Sequence, residues 1–351
     1  MNDIPSAKPR VTIRDVSEAA GVSVATVNRA LTGKPRVSEE TRRRVMSIAE
    51  EMGFRVNLAA KALSRNTIRI GIILQQTIPA FFQDLLSGIQ SALAELADFN
   101  VQGEITVVSY DSTDESASRS AFLNAMNAYA SRGFQGILLL PNRDTTGYAD
   151  RIDQLRLEGI LVGTVVTRVD RCRQAVSVRS DGVAAGHLAA ELLFRFGCRR
   201  SVVFSSSFDV AICRENIAGY TDWAKQFGLE LLHVYQNRDD PALAYAAVDQ
   251  LAAQYPEADG IYICSANSAA VCRRLVELGL EARYTIVASD LFDDLRQYLQ
   301  KGLIAATLFQ QPRKQGELAV RSLYERIEQE GEDRELLLTP QVVLRGNQAA
   351  F

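Results

Sequence analysis

From Ile68 onward the chain repeats one pattern: a short, continuous run of Ile, Val and Leu, then an amphipathic stretch of about 10–16 residues. The runs are IRIGIIL (68–74), ITVVSY (105–110), GILLL (136–140) and ILVGTVV (160–166). A second series follows with SVVFSSS (201–207), LLHVY (231–235), GIYIC (260–264), TIVAS (285–289) and IAATLF (304–309). A strand that is apolar throughout, not at alternate positions, is buried on both faces, and strands separated by helices pair in parallel. Two such series predict two α/β lobes. A ligand of such sheets sits at the carboxyl ends of the strands, here in a cleft between the lobes.

The 351 residues suffice for two or three domains, and no apolar run reaches the roughly 18 residues that cross a bilayer. The opening MNDIPSAKPR has no apolar leader segment, so a cytoplasmic protein is expected. Five scattered cysteines never spaced C-x-x-C read as thiols in a reducing compartment, not as a zinc site. With only His187 and His233, histidine catalysis is poorly supplied. No phosphate loop, G-x-S-x-G elbow or H-E-x-x-H pair occurs, so neither an enzyme nor a cofactor or metal is expected. The net charge of −3 hides an asymmetry. Residues 1–66 carry 12 Lys and Arg against 7 Asp and Glu, +5 net; the remainder carries 27 against 35, −8 net. A basic head suits a polyanion.

The head is all helix. Thr12 with Asp15 three residues on forms a cap, Ile13, Val16 and Ala20 form one face, and Gly21 ends the helix. Ser23 caps a second helix over 24–31, and Ser38 a third with Val45, Ile48, Ala49 and Met52 inward. Helix, tight turn, helix, loop, helix is a helix-turn-helix unit whose second helix enters the major groove. The stretch GVSVATVNRAL has only Val27 and Leu31 as an apolar stripe. Its other side is small and uncharged at Val24, Ala25 and Thr26, which permits close approach to base edges. Asn28 and Arg29 add forked hydrogen bonding, suited to adenine and guanine. Thr12, Ser23, Thr26 and Arg42–Arg44 are candidates for phosphate contact, the arginine run being equally readable as a solvated face. The linker NLAAKALSRN (57–66) is capped by Asn57 and is too short to be a stable helix alone, so it orders only against a partner copy and DNA.

The stretch from Val11 to Leu74, with its turn, helix spacing and linker, resembles the lactose-repressor (LacI) family of bacterial transcription regulators. The resemblance implies that Val24, Ala25 and Arg29 read operator bases, and that the linker enters the minor groove with Asn57, Ala60 and Leu63, the leucine wedging between base pairs. Val56 departs from the family's proline. The remainder, roughly 68–345, is similar to the family's sugar-sensing, periplasmic-binding-protein-like domain. The domains expected are 10–56 (helix-turn-helix), 57–67 (hinge) and 68–345 (effector binding and dimerisation). Within the last, lobe 1 is expected at about 68–168 and 303–330, and lobe 2 at about 172–299 and 334–345.

What the resemblance implies for the cleft is a set of polar and aromatic groups beyond strand ends. Phe81 and Phe82 would stack on a sugar ring; Asp181, Arg214, Asn216, Asn267 and Asp290 would meet hydroxyls; Gln310 would sit beside a lobe crossing. Each has a plainer alternative: Asp181 and Asn267 as helix caps, the phenylalanines as core, Arg214 in a surface ion pair. Thr167-Arg168 stands where the family commonly shows Asp-Arg, so a strong acceptor is lost while Arg168 is kept, and a polyol or cyclitol becomes as admissible as an aldose. The expected function is a homodimeric, operator-binding regulator, a repressor by resemblance, controlled by a polyhydroxylated effector. The alternatives are a solute-binding protein without DNA function and a sugar-processing enzyme with a DNA-binding head.

Overall fold

Three side-chain caps organise the head. The computed structural model describes residues 11–31, 37–52, 67–75, 79–109, 115–329 and 331–351. Thr12 Oγ1 accepts from the Asp15 amide at 3.4 Å, and the Asp15 carboxylate accepts from the Thr12 amide at 2.7 Å, closing a reciprocal box ahead of α1 (Ile13–Ala20). Gly21, at φ 64°, ends α1 in the left-handed conformation that only glycine adopts without strain. Ser23 Oγ accepts from Thr26 N at 3.2 Å at the start of α2 (Val24–Leu31), and Ser38 Oγ from Thr41 N at 3.2 Å at the start of α3 (Glu39–Glu51). Val16, Ala20, Val27, Ala30, Val45 and Ala49 meet in one small core drawn from all three helices. The hinge candidates Asn57, Ala60 and Leu63 lie outside the described residues, as does the side chain of Asn28.

Residues 67–351 form a separate unit. Its first sheet has the order β11-β5-β4-β3-β1-β2, all parallel, with β1 Ile68–Gln75, β2 Val101–Val108, β3 Gly136–Leu140, β4 Leu161–Val165, β5 Val176–Ser180 and β11 Arg334–Leu338. The second has the order β12-β10-β9-β8-β6-β7, with β6 Arg200–Ser205, β7 Glu230–Gln236, β8 Gly260–Ile263, β9 Thr285–Ser289, β10 Ile304–Phe309 and an antiparallel edge, β12 Gln341–Val343. Successive residues of a strand face opposite ways, so Ile72 and Leu138 pack under α4 (Pro79–Leu96) and α12 (Pro312–Glu328), while Ile73 and Ile137 pack under α5 (Glu115–Ser131) and α6 (Tyr148–Leu157). The second sheet is covered by α7 (Gly182–Arg195) and α8 (Ala211–Phe227) on one face. On the other lie α9 (Pro241–Gln254), α10 (Ser268–Glu277) and α11 (Asp293–Lys301). Helices α7 and α8 touch backbone to backbone: a Cβ on Gly186 would fall 2.2 Å from Asn216 O, and one on Gly219 2.2 Å from Val183 O.

The chain passes between sheets three times: β5 to α7, β10 to α12, and β11 to β12. Each crossing leaves the carboxyl end of a parallel strand, so the carboxyl ends of both sheets meet at the junction. This topology corrects the expected lobe limits. Residues 176–180 and 334–338 belong to the first sheet, not to lobe 2, and 304–309 to the second, not to lobe 1. The misassigned β5 reads VSVRS, and its Ser177, Arg179 and Ser180 are all buried, so a strand of the interior has no continuous apolar run to reveal it.

Candidate nucleic-acid interface and candidate ligand cleft

Helix α2 buries Val27 and Ala30 and turns Val24, Ala25 and Arg29 outward; Val24 is 40% exposed although apolar. Among the described residues no carboxylate pairs with Arg29. Thr12 and Ser23 are exposed, and Thr26, half-buried, shares a 2.9 Å hydrogen bond with the Ser23 hydroxyl. The Ser17 hydroxyl donates to Val22 O at 2.6 Å and fixes the turn between α1 and α2. Arg42 ties α3 back onto α2, since its guanidinium donates to Ala30 O at 3.2 Å, at the end of α2, and pairs with Glu39 at 3.5 Å. Arg43 and Arg44 are exposed beside it.

In the second unit, the junction gathers polar groups that have no protein partner among the described residues. These are Thr167 Oγ1 beyond β4, Ser180 Oγ at the end of β5, Asn267 Nδ2 and Ser268 Oγ beyond β8, and Gln315 Oε1 below the β10 crossing. All five residues are buried. A buried donor or acceptor left without a partner costs about 1–3 kcal/mol, so these five, placed by the topology on the junction side of the sheets, are candidates to meet a ligand. Asn267 heads α10, yet its side chain makes no cap hydrogen bond.

Asp290 follows β9 at φ 66°, in the left-handed region, and is 5% exposed. Its carboxylate accepts from Gln310 Nε2 at 2.8 Å and from Gln310 N at 3.4 Å, and its carbonyl accepts from Thr307 Oγ1 at 2.5 Å. Loss of solvent pushes its pKa up to about 7; the two Gln310 bonds oppose this, and the Asp84 carboxylate on α4 adds to it. Asp290 and Gln310 therefore sit together at the crossing. Asp181 caps α7, accepting from Ala184 N at 2.9 Å, and is half-buried.

Five expected ligand contacts are otherwise engaged. Phe81 and Phe82, 5% and 3% exposed, pack with Leu74, Leu85 and Ile89 in the lobe 1 core, which replaces the stacking role expected of them. Asn216 is buried in α8, donating to Ile212 O at 2.9 Å and accepting from Tyr262 OH at 2.8 Å. Arg214 donates to Phe208 O at 2.8 Å and Asp209 O at 3.0 Å and pairs with Asp170. Arg168 pairs with Asp170 and Glu215, both at 3.5 Å. Glu215 also meets Arg179, a buried β5 arginine held on its other side by Glu335 at 2.8 Å. A network of three arginines and three carboxylates thus ties lobe 1 to the start of α8. The loop carrying Arg168 and Asp170 begins in a γ-turn, Thr167 N to Val165 O at 2.9 Å, with Val166 at φ 71°. A β-branched residue at positive φ is strained and survives only where its surroundings over-determine it. A second interlobe tie joins loops beyond β3 and β7: Arg143 pairs with Glu115 at 3.0 Å and donates to Arg238 O at 2.6 Å.

An open groove of about 590 Å³, lined in part by Asp84, Phe309, Lys314 and Phe351, lies alongside α12. None of its lining side chains is an unpartnered buried polar group, so the polar junction is the better candidate site.

Residues 12–57 match the model of bacterial regulatory proteins of the lacI family, and residues 70–332, three quarters of the chain, match that of the periplasmic binding protein domain. The chain belongs to the periplasmic binding protein domain family and carries an N-terminal domain of the lacI family of bacterial regulatory proteins. One relative, catabolite control protein A of Streptococcus mutans, is 28% identical over 261 residues, 69% of this chain and 74% of that protein. Another, the HTH-type transcriptional repressor PurR of Vibrio vulnificus, is 23% identical over 341 residues, 95% of this chain and 97% of that one. In fold, the chain resembles an ABC-transporter solute-binding protein from Burkholderia graminis crystallised with D-arabinose. That match has a TM-score of 0.72 and 22% identity, covering 81% of this chain and 97% of the other. The named relatives are regulators and repressors, not enzymes. Among the described residues of this chain, no helix is long and apolar enough to cross a membrane. Sequence reading did not single out Ser180, Ser268 or Gln315: the first two are short hydroxyl side chains at or beyond strand ends, and Gln315, inside α12, carries no local signal.

Proposed function

We propose that the chain is a homodimeric transcriptional repressor. It reads a palindromic operator through Val24, Ala25, Thr26, Asn28 and Arg29, with Thr12 and Ser23 on phosphates and Asn57, Ala60 and Leu63 in the minor groove. A small polyhydroxylated effector, a sugar, polyol or cyclitol, governs it from the polar junction, where Asn267, Asp290 and Gln310, with Asp181 at the rim, supply the expected contacts. The observation that carries this reading is the set of unpartnered buried groups contributed by both lobes, Thr167 and Ser180 from one and Asn267 and Ser268 from the other. A molecule with many hydroxyls satisfies donors and acceptors alike, and one that bonds to both lobes favours the arrangement in which both reach it. The solute-binding likeness with bound D-arabinose and the relative named as a repressor support the two halves of the reading.

The lobes meet through three crossings, and the segment 57–66 leads directly into β1. A small rotation about the crossings changes the spacing of the two hinge segments in a dimer, and a few kcal/mol of differential lobe contact orders or releases so short a helix. Arg29→Ala tests the reader. Fluorescence anisotropy on a selected operator should show binding about 10–100-fold weaker, with affinity for random duplex reduced far less. Equal loss on both DNAs would reduce Arg29 to a phosphate contact, and no loss on either would remove α2 from the interface.

A further inference from the structure

We infer that the effector is uncharged, and that Asp290 makes the junction reject phosphate esters and carboxylates of otherwise fitting molecules. The inference rests on the effector reading above and narrows its class. Among the described residues only two charged side chains are buried, Arg179 and Asp290. Arg179 is matched by Glu215 and Glu335. Among the described residues the Asp290 carboxylate is met by the amide and backbone N–H of Gln310, while Thr307 Oγ1 and Leu308 O engage its backbone. The charged group acting on it, Asp84 on α4, has the same sign.

The arginines around the junction are already engaged, and Arg313 and Lys314, which line the neighbouring groove with Asp84, are exposed to solvent. Arg119 pairs with Asp144 at 2.5 Å, Arg143 with Glu115, Arg168 with Asp170 and Glu215, and Arg214 with Asp170. Arg171 and Arg238 are exposed to solvent, where water screens them. The segments 76–78 and 110–114, which follow β1 and β2 and lie outside the described residues, contain Asp111 and Asp114 and no lysine or arginine. Sites that hold phosphate or carboxylate offer arginine, lysine or a helix N-terminus. The start of α10 is such an end, and Asn267 Nδ2 and Ser268 Oγ would serve an anionic oxygen as readily as a hydroxyl. The buried carboxylate decides between them: it accepts from a hydroxyl and repels an anion, while the remaining unpartnered groups are neutral.

The test is calorimetric titration of the full-length protein at pH 8 with matched sets. These are D-glucose, glucose 6-phosphate and D-gluconate; D-ribose and ribose 5-phosphate; myo-inositol and its 1-phosphate; sorbitol and its 6-phosphate. At least one uncharged member is expected to bind, with its anionic counterpart at least about 100-fold weaker. In Asp290→Asn that ratio should shrink at least tenfold; asparagine is nearly isosteric and tolerates positive φ, so the backbone at 290 is kept. At pH 5.5 the wild-type ratio for gluconate, which stays ionised there, should shrink as well, because Asp290 is then protonated. An anionic member that binds as tightly as its uncharged partner overturns the inference and leaves effector control standing. A ratio untouched by both Asp290→Asn and low pH overturns it too, since size and not charge would then exclude the anion. If no member of any set binds, the inference and the effector reading fall together.

Discussion

Asp290→Asn is expected to raise the thermal unfolding midpoint of the protein at pH 8 and to leave it nearly unchanged at pH 4. The folded carboxyl titrates at about 7 against an ordinary 3.8 because it is buried with one amide and one like charge nearby. The folded state therefore holds this proton more tightly than the unfolded state. The contribution of this one group to stability is most favourable below pH 3.8, declines as pH rises from there to about 7, and above that the whole difference, on the order of 4 kcal/mol, counts against folding. Asparagine has the same shape and no charge, so it relieves that cost where the carboxylate is ionised and has little to relieve where it is protonated. For a unit of this size the gain corresponds to roughly 10 °C. Calorimetric scans of both proteins at pH 4, 6 and 8 check it: the difference must grow with pH, and an equal difference at all three values would refute the account. A residue that destabilises its own fold and sits at positive φ supports the ligand role proposed for it.

Arg179→Met is expected to destabilise the second unit by about 3–5 kcal/mol, because it leaves the Glu215 carboxylate, 19% exposed, without its main partner. Arg168, 3.5 Å away and itself shared with Asp170, compensates little. Glu335, 42% exposed, is returned to water at small cost. The double variant Arg179→Met with Glu215→Leu should recover much of the loss, since both buried charges are then gone. Urea unfolding of the single and double variants measures this as a coupling energy. A single-variant loss under 1 kcal/mol, or a double variant no better than the sum of its parts, would show that the pair does not tie the lobes.

The alternation of apolar runs with helices made most of the parallel strands legible, because short β-branched runs separated by amphipathic helices read as strands buried on both faces. The head was legible for a different reason: Thr12, Gly21, Ser23 and Ser38 are local signals whose partners lie three to five residues away. What escaped was set by distant contacts. The strand at 176–180 is polar because Arg179 answers to Glu215 and Glu335, 36 and 156 residues away along the chain. Asn216 looked like a ligand donor until Tyr262, on another element, claimed its oxygen. Phe81 and Phe82 stand at the correct end of the first strand for a binding face, but the turn of α4 carries both rings into the core. Asp290 and Gln310 each lie directly beyond a strand end, so position alone places them at the junction, and their contact with a ligand is part of the proposal.

The central claim is that one chain couples a duplex reader to a ligand junction, and reciprocal titration tests it most directly. An operator recovered by selection from genomic fragments would be titrated with full-length protein, with and without a saturating amount of the uncharged compound identified by calorimetry; the compound would then be titrated with and without operator. The account predicts that each ligand changes the other's affinity by the same factor, about 5–150-fold. Two affinities that ignore each other would contradict it.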